Sequence, residues 1–338
     1  SPDEVQTNRE DNGVEASRKV VAQVRAAVAR EIDRLPADAR VVLAVSGGAD
    51  SFAMLDAVHA ARPARIGAVA VFDHRSGAHG RRAVDVVASW ATSHGVACVT
   101  GEARGAHARA TEAMWREERW HFLRGVSRRF APAIVATGHT WDDQVETVCM
   151  RILRGAGARG LAALAADTGV LRPLLALRRA TVHAYAEARA LPVVDDPTNA
   201  DRRQLRTRVR LDLLPAFERA SPGFAAALWH VGEEAARWRH ESEVWARAVP
   251  LQRISASEVA VPANTFTHVP PSGLPVLWPA LLGRMGVVLD RRGTDRVARF
   301  TTTGVSGQEI QLAGGIRVRR TRSGFLVSGD RPMDDGGP

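Results

Sequence analysis

The sequence predicts an α/β protein: a doubly wound parallel sheet with a smaller C-terminal region of helices and a β-hairpin. Two observations carry this. Short apolar runs at Val41–Val45, Ile66–Phe72, Ala97–Thr100 and Ala133–Thr137 alternate with helical stretches, the pattern of βαβ units whose strands are buried on both faces. After Pro215 the pattern changes to a long helical stretch and then a period-two alternation over Gln308–Val327.

Taken in order, residues 1–17 are polar and lack apolar periodicity, which predicts a disordered acidic tail. Val20–Ile32 repeats at helical spacing. Helices are predicted at Asp50–Ala61, Arg82–Ser93, His107–Arg129 and Asp142–Leu153 between and after the four strands. A strand-like Val170–Leu175, a helix at Arg179–Ala190 and a loop at Pro192–Asp201 complete a domain assigned to 18–215. Within the accessory region, 216–338, residues 216–250 read as helical. There Trp229, Trp238 and Trp245, nine and seven residues apart, favour a packing stripe over a base-stacking platform. Pro262–Pro279 reads as a connection, Leu274–Leu289 as helix, Gly314-Gly315 as a hairpin turn and the last eight residues as frayed.

The charge balance bounds the partners. The 338 residues hold 46 Lys plus Arg, of which only Lys19 is lysine, against 37 Asp plus Glu. The tail carries a net charge of −4, so the remaining residues hold +13 against the chain's +9. A basic body suits a polyanion such as nucleic acid. The preference for arginine over lysine itself fits a GC-rich coding sequence. No run of apolar residues is long enough to span a bilayer and no secretory signal opens the chain, so no membrane partner is expected. Cys98 and Cys149 form neither a disulfide framework nor a CxxC pair, which fits a reducing, cytoplasmic setting.

The chemistry concentrates first in Ser46-Gly47-Gly48-Ala49-Asp50-Ser51, directly after a strand and opening a helix. Glycines let successive backbone N–H groups approach an anion, and the helix N-terminus adds partial positive charge. Ser46 and Ser51 supply hydroxyl donors. Asp50 cannot donate to phosphate, and makes sense beside it as a Mg²⁺ ligand. There is no GxxxxGK[ST] and no GxGxxG after the strand, which argues against Walker and dinucleotide sites. The hexapeptide resembles the loop of the ATP pyrophosphatases, which cleave ATP between its α and β phosphates.

A second segment, Thr137-Gly138-His139-Thr140-Trp141-Asp142-Asp143-Gln144-Val145-Glu146, follows the fourth strand and holds three acids at a helix start, more than capping requires. With Arg151-x-x-Arg154-Gly155-Ala156-Gly157-x-x-Gly160-Leu161 it resembles the tRNA(Ile)-lysidine synthetases. Glu112-Ala113-x-x-Arg116-x-x-Arg119-Trp120, Arg172-Pro173-Leu174-Leu175, Asp196-Pro197-Thr198-Asn199 and Arg206-Thr207-Arg208-Val209-Arg210 resemble further elements of that family, from about Val41 to Pro215. Asp73-His74-Arg75-Ser76-Gly77 departs from the family's Asp-His-Gly-Leu-Arg, Thr207 replaces an Asn and Trp120 a Tyr.

The resemblance implies an adenine-nucleotide hydrolase-like fold. It also implies an ATP-dependent ligation of free L-lysine to the first anticodon cytidine of an isoleucine tRNA (CAU anticodon), through an adenylated cytidine, with release of AMP and pyrophosphate. ATP would contact Ser46–Ser51, Asp73, His74, Gly138 and His139. Mg²⁺ would take Asp50, Asp142 and Asp143. Asp50, Asp143, Glu146 and Arg116 would act in catalysis, with Glu112, Arg116, Asp142, Gln144, Arg206, Arg208 and Arg210 facing lysine or tRNA. Arginines cluster at 151–179, 202–210 and 291–322, which suits phosphate contacts. The rivals are a tRNA thiolase of the same superfamily, which would need cysteine pairs, and a small-molecule amide-forming enzyme, which would need no arginine clusters.

Overall fold

The computed structural model describes residues 2–75, 77–103, 112–194, 201–330 and 332–333; the side chains of residues 2–12, Glu112 and Ala113 lie outside that description. The predicted Asp196-Pro197-Thr198-Asn199 element, the helix start at His107, Ser76 and most of the last eight residues fall outside it as well.

Two compact units form. The first comprises residues 1–150 and 167–229, the second 151–166 and 230–338. In the first, strands β1 (Arg40–Ala44), β2 (Ile66–Asp73), β3 (Cys98–Glu102), β4 (Ala133–Thr137) and β5 (Val170–Leu171) make one sheet in the order β3-β2-β1-β4-β5. Every neighbouring pair is parallel. Helices α1 (Pro2–Asp33), α2 (Ala49–Ala61), α3 (Ala78–Ser93), α4 (Glu112–Arg129) and α5 (Trp141–Leu153) connect and cover these strands. Next along the chain come the short α6 (Ala158–Leu161), which belongs to the second unit, then α7 (Arg179–Ala188), α8 (Leu205–Arg208), α9 (Leu214–Ala220) and α10 (Phe224–Ala248), whose greater part belongs to the second unit. The core centres on Val41, Leu43, Phe52, Leu55, Val69 and Val71, all essentially inaccessible. That is why β1 and β2 read as uninterrupted apolar runs.

Helix α1 extends through the segment expected to be a disordered tail. Local charge pairing supports a helix where apolar periodicity is missing: Lys19 Nζ lies 2.8 Å from Glu15 Oε1 one turn earlier. Further along, Val24, Val28 and Ile32 repeat at one-turn spacing and are fully buried. Burial of each such side chain contributes roughly 1.5–3 kcal/mol, so packing rather than propensity docks the helix. The strand expected over Val170–Leu175 stops at Leu171. Pro173 has no N–H to donate to a ladder, and Leu175 N turns back to donate to Arg172 O at 3.0 Å.

The second unit holds an antiparallel sheet in the order β6-β7-β10-β9-β8: β6 (Gln252–Ser255), β7 (Glu258–Pro262), β8 (Glu309–Gln311), β9 (Arg317–Arg320) and β10 (Gly324–Ser328). Against it pack α11 (Leu274–Gly283) and α12 (Arg291–Thr303). Trp278 is the hub of this core, with its ring centroid 4.9 Å from Phe266 and 5.3 Å from Phe325. Sequence periodicity misses β6, β7 and α12 and runs α11 on to Leu289; a turn at Arg284–Gly286 ends it. The compact first unit runs on past Pro215. Residues up to Trp229 pack in the first unit, where the Trp229 ring stacks 5.5 Å from Trp141. Trp245 packs against the second core, while Trp238 is 46% exposed.

Candidate active site

Ligands of doubly wound sheets bind where strand order reverses, beyond the carboxyl ends of the strands. Here β1 pairs with β2 on one side and β4 on the other, with Ala44 level with Thr137. The segments after β1 and β4, those singled out by sequence, therefore meet. Gly138 makes this possible: a Cβ there would lie 2.8 Å from Asp50 O. At this point opens a cavity of about 520 Å³, lined among others by Ser46, Gly48, Asp50, Ser51, Asp73, His74, Gly138, His139, Asp143, Arg206 and Arg210.

The loop is held by its own serines. Ser46 N donates to Ser51 Oγ at 3.2 Å, and Ser51 Oγ donates to Gly48 O at 2.9 Å. Gly47 takes φ +90°, a conformation that suits glycine, and its carbonyl accepts Val194 N at 2.9 Å. No side chain caps α2, so its N-terminal amides are left for an anion. Below the loop, Asp73 Oδ1 accepts Arg75 N at 2.7 Å. Arg75 occupies the glycine position of the related motif at φ +57°, and its guanidinium reaches Glu102 at 3.0 Å.

The acids of the second segment are not free. Asp143 Oδ2 accepts Thr140 N at 2.7 Å and Thr140 Oγ1 at 2.9 Å, part of a capping box at the start of α5. Its Oδ1 accepts Arg179 Nη2 at 2.8 Å and Arg206 Nη2 at 2.7 Å. Glu146, 1% exposed, accepts Arg179 Nη1 and Arg206 Nε, each at 2.8 Å. Asp142 faces the start of α7, accepting Arg179 N at 2.7 Å, and does not line the cavity. Arg179 thus touches Asp142, Asp143 and Glu146, and its Nε lies 3.8 Å from Asp50 Oδ2. Burial opposes charge on Arg179, yet Asp143, Glu146 and Asp50 outweigh it and raise its pKa. Burial would raise the Asp143 carboxyl, but Arg206 and Arg179 outweigh it and hold it below its ordinary value.

Asp50 is different. Its Oδ1 is buried without a hydrogen bond of good geometry, and the nearest cation is His183 Nε2 at 3.3 Å. That contact raises the His183 pKa against partial burial. His139 goes the other way: desolvation, assisted by Arg206, Arg172 and Arg119, lowers it to about 4 despite Asp143. Its neutral ring pairs with Thr137 Oγ1 through Nδ1 at 2.8 Å.

Sequence reading missed Arg179 and His183 as site residues. Both stand on α7, and the Arg178-Arg179 doublet looks like any other in this arginine-rich chain. Arg178 itself stacks 3.2 Å over the Trp141 ring. Of the other expected residues, Gln144 and Glu146 are buried behind the cavity, Arg116 and Arg208 are exposed outside its lining, and the side chain of Glu112 lies outside the described residues. Among the described residues no group of three or more His, Cys, Asp or Glu is placed to hold a metal ion. No helix among them is long and apolar enough to cross a membrane.

Residues 18–217 match the PP-loop domain family ATP_bind_3. The chain is 34% identical to the tRNA(Ile)-lysidine synthase of Salinispora arenicola over 91% of its length and 96% of that protein's. It is 33% identical to the tRNA(Ile)-lysidine synthase of Thermobifida fusca over 92% of its length and 98% of that protein's. Among solved structures, the U34-tRNA thiolase NcsA of Methanococcus maripaludis superposes with a TM-score of 0.55 at 17% identity, covering 65% of this chain and 80% of that one, a likeness of fold. The paired glycine loop and the Gly138–Glu146 segment, brought to one cavity within a chain alignable almost end to end with named relatives, leave one assignment: the chain belongs to the tRNA(Ile)-lysidine synthase family.

Proposed function

We propose that this chain ligates L-lysine to the first anticodon cytidine of an isoleucine tRNA with a CAU anticodon, consuming ATP. The observation that carries the reading is the meeting of the Ser46–Ser51 loop with the Gly138–Glu146 segment in one cavity. The cytidine O2 attacks the α-phosphorus of ATP and pyrophosphate leaves. The lysine amine then attacks C2, forming the C–N bond, breaking the C–O bond to AMP and giving up a proton.

The residues divide this work. The loop amides with Ser46 and Ser51 hold the pyrophosphate end, and Arg179, Arg206 and Arg210 set a positive wall opposite it. Mg²⁺ fits Asp50 best among the three expected acids, because Asp50 Oδ1 is engaged only by the 3.3 Å contact to His183 Nε2, while the oxygens of Asp143 are taken and Asp142 faces α7. One carboxylate plus phosphate oxygens is an ordinary Mg²⁺ environment; when bound, the ion neutralises phosphate charge. Asp143 and Glu146 act by orienting two arginines. The neutral imidazole of His139 can accept or donate one hydrogen bond without adding charge.

The tRNA needs phosphate contacts beyond the cavity. Much of the 151–179 cluster serves the protein itself: Arg151 bonds to Gly160 O, Arg159 to Glu243 and Arg178 to Trp141. In the second unit, by contrast, Arg292 and Arg299 on α12 and Arg319 on β9 are exposed. This unit is the accessory tRNA contact. The deciding assay supplies ATP, each labelled amino acid in turn and the CAU-anticodon tRNA. Lysine alone should enter the RNA, one AMP and one pyrophosphate appearing per lysine; incorporation of another amino acid, or none, overturns the reading.

A further inference from the structure

Helix α4 carries Trp115, Arg119 and Leu123 one turn apart on one face. Arg119 and Leu123 line the cavity. At about 1.5 Å rise per residue, Trp115 stands some 6 Å further toward the start of the helix. A helix that crosses back from β3 to β4 begins beside the carboxyl ends of the strands, so Trp115 sits at the cavity rim. Tryptophan is usually highly buried, yet this one is 40% exposed.

The ring is also the end of an aromatic series. Phe122 lies 5.4 Å from Phe72, Phe72 5.1 Å from His74, and His74 6.4 Å from Trp115. Phe72 and His74 line the cavity, so the series leads from the buried sheet edge through the site to an open indole. Beside it, Arg119 Nε is buried without a hydrogen-bond partner among the described residues, and Arg116 is exposed on the next position of the helix. Burial and the neighbouring Arg116 both lower the Arg119 pKa. An open indole next to cations is the standard recipe for holding single-stranded nucleic acid.

We propose that Trp115 is a stacking platform for a base of the tRNA anticodon loop neighbouring the modified cytidine. This rests on the tRNA reading above. To offer one base to a cavity that also holds ATP, the loop must unstack it from its neighbours, and an exposed neighbour needs a new surface. The phosphate cradle lies inside the cavity and Trp115 is not part of its lining, so ATP affinity and RNA affinity can be read separately in a Trp115 variant.

The test uses the full chain and an anticodon stem-loop with 2-aminopurine at single loop positions. On binding, fluorescence should be quenched at one position flanking the modified cytidine. Trp115→Ala should abolish that quenching and weaken stem-loop binding about ten- to a hundredfold. Trp115→Phe should keep most of both, and ATP affinity should be unchanged in each variant. Wild-type quenching and affinity in Trp115→Ala, or loss of ATP affinity in place of RNA affinity, overturns the platform. Lysine incorporation by the wild type is scored in parallel: its absence overturns the tRNA reading and the platform with it, whereas incorporation with an indifferent Trp115→Ala overturns the platform alone.

Discussion

Arg206 Nε donates to Glu146 Oε2 at 2.8 Å across sixty residues of sequence, and Arg179 Nη1 meets the other oxygen at the same distance. Glu146 is therefore a side chain that water scarcely reaches, held by two guanidinium groups. Breaking such a pair from one side costs about 3–5 kcal/mol, since the charge left behind stays buried. Arg179→Met, the less exposed of the two arginines, should lose that much in urea unfolding at neutral pH. Adding Glu146→Gln should recover part of it. A loss below about 1 kcal/mol in the single variant would show that the acids do not depend on Arg179.

Two glycines of the cavity separate fold from ligand. At Gly138 a Cβ would press on Asp50 O at 2.8 Å, so the loop and the β4 segment must part. Gly138→Ala should cost about 1–3 kcal/mol in stability and about a hundredfold in turnover through misplaced groups. Gly48 has ordinary backbone angles, and its nearest neighbour would be Ser46 Oγ at 3.8 Å. Gly48→Ala should stay within about 0.5 kcal/mol of wild type yet raise the KM for ATP at least about tenfold, because the methyl group obstructs phosphate. An unchanged KM in a folded Gly48→Ala protein would remove the loop from ATP binding.

The pH dependence of stability carries the signature of His139. Its folded pKa of about 4 lies below the ordinary 6.5, so the unfolded chain binds the proton more readily. The contribution is complete above pH 6.5 and is lost as pH falls toward 4, by at most about 3.5 kcal/mol. His139→Gln should flatten that part of the profile. An imidazole that titrates near 6.5 by NMR in the native protein would refute the assignment.

On the proposed reading, the exposed arginines of the second unit set the salt dependence of tRNA binding. Replacing Arg292, Arg299 and Arg319 together by Gln should make the slope of log affinity against log salt shallower by about 2, with little change in ATP affinity. An unaltered slope would place the RNA elsewhere.

Strands β1, β2 and β4 were legible because burial writes them as continuous apolar runs; Ala133–Thr137 is found at the expected limits. The loop was legible because its residues are local. Arg179 and His183 were not, because their role exists only once α7 packs across the ends of β1 and β4. For the same reason Asp142, Asp143 and Glu146 look like open ligands in sequence, where the arginines that occupy them lie 33 to 63 residues away. In the second unit all four residues of β6 are exposed, leaving no alternation to read, and α12 hides Val297, Ala298 and Phe300 among arginines and threonines.

The same two helices that meet at Asp50 and Arg179 meet again six residues later. Tyr185, fully buried on α7, donates a short hydrogen bond to Asp56 on α2, and Arg189 Nε reaches the same carboxylate oxygen at 3.1 Å. Burial and then Asp56 push the Tyr185 pKa up to about 12. The hydroxyl is thus a donor at any pH where the enzyme works. Tyr185→Phe removes one donor from a buried carboxylate and should cost about 1.5–3 kcal/mol. Because Arg179 keeps its own acids, turnover should stay within about threefold. The folded pKa lies above the unfolded value of about 10, so the tyrosine's contribution is whole below pH 10 and fades between 10 and 12. The stability gap between wild type and Tyr185→Phe should therefore be level at lower pH and narrow above 10 in parallel denaturation curves. A gap that stays constant to pH 12 would mean that the hydroxyl does not hold Asp56.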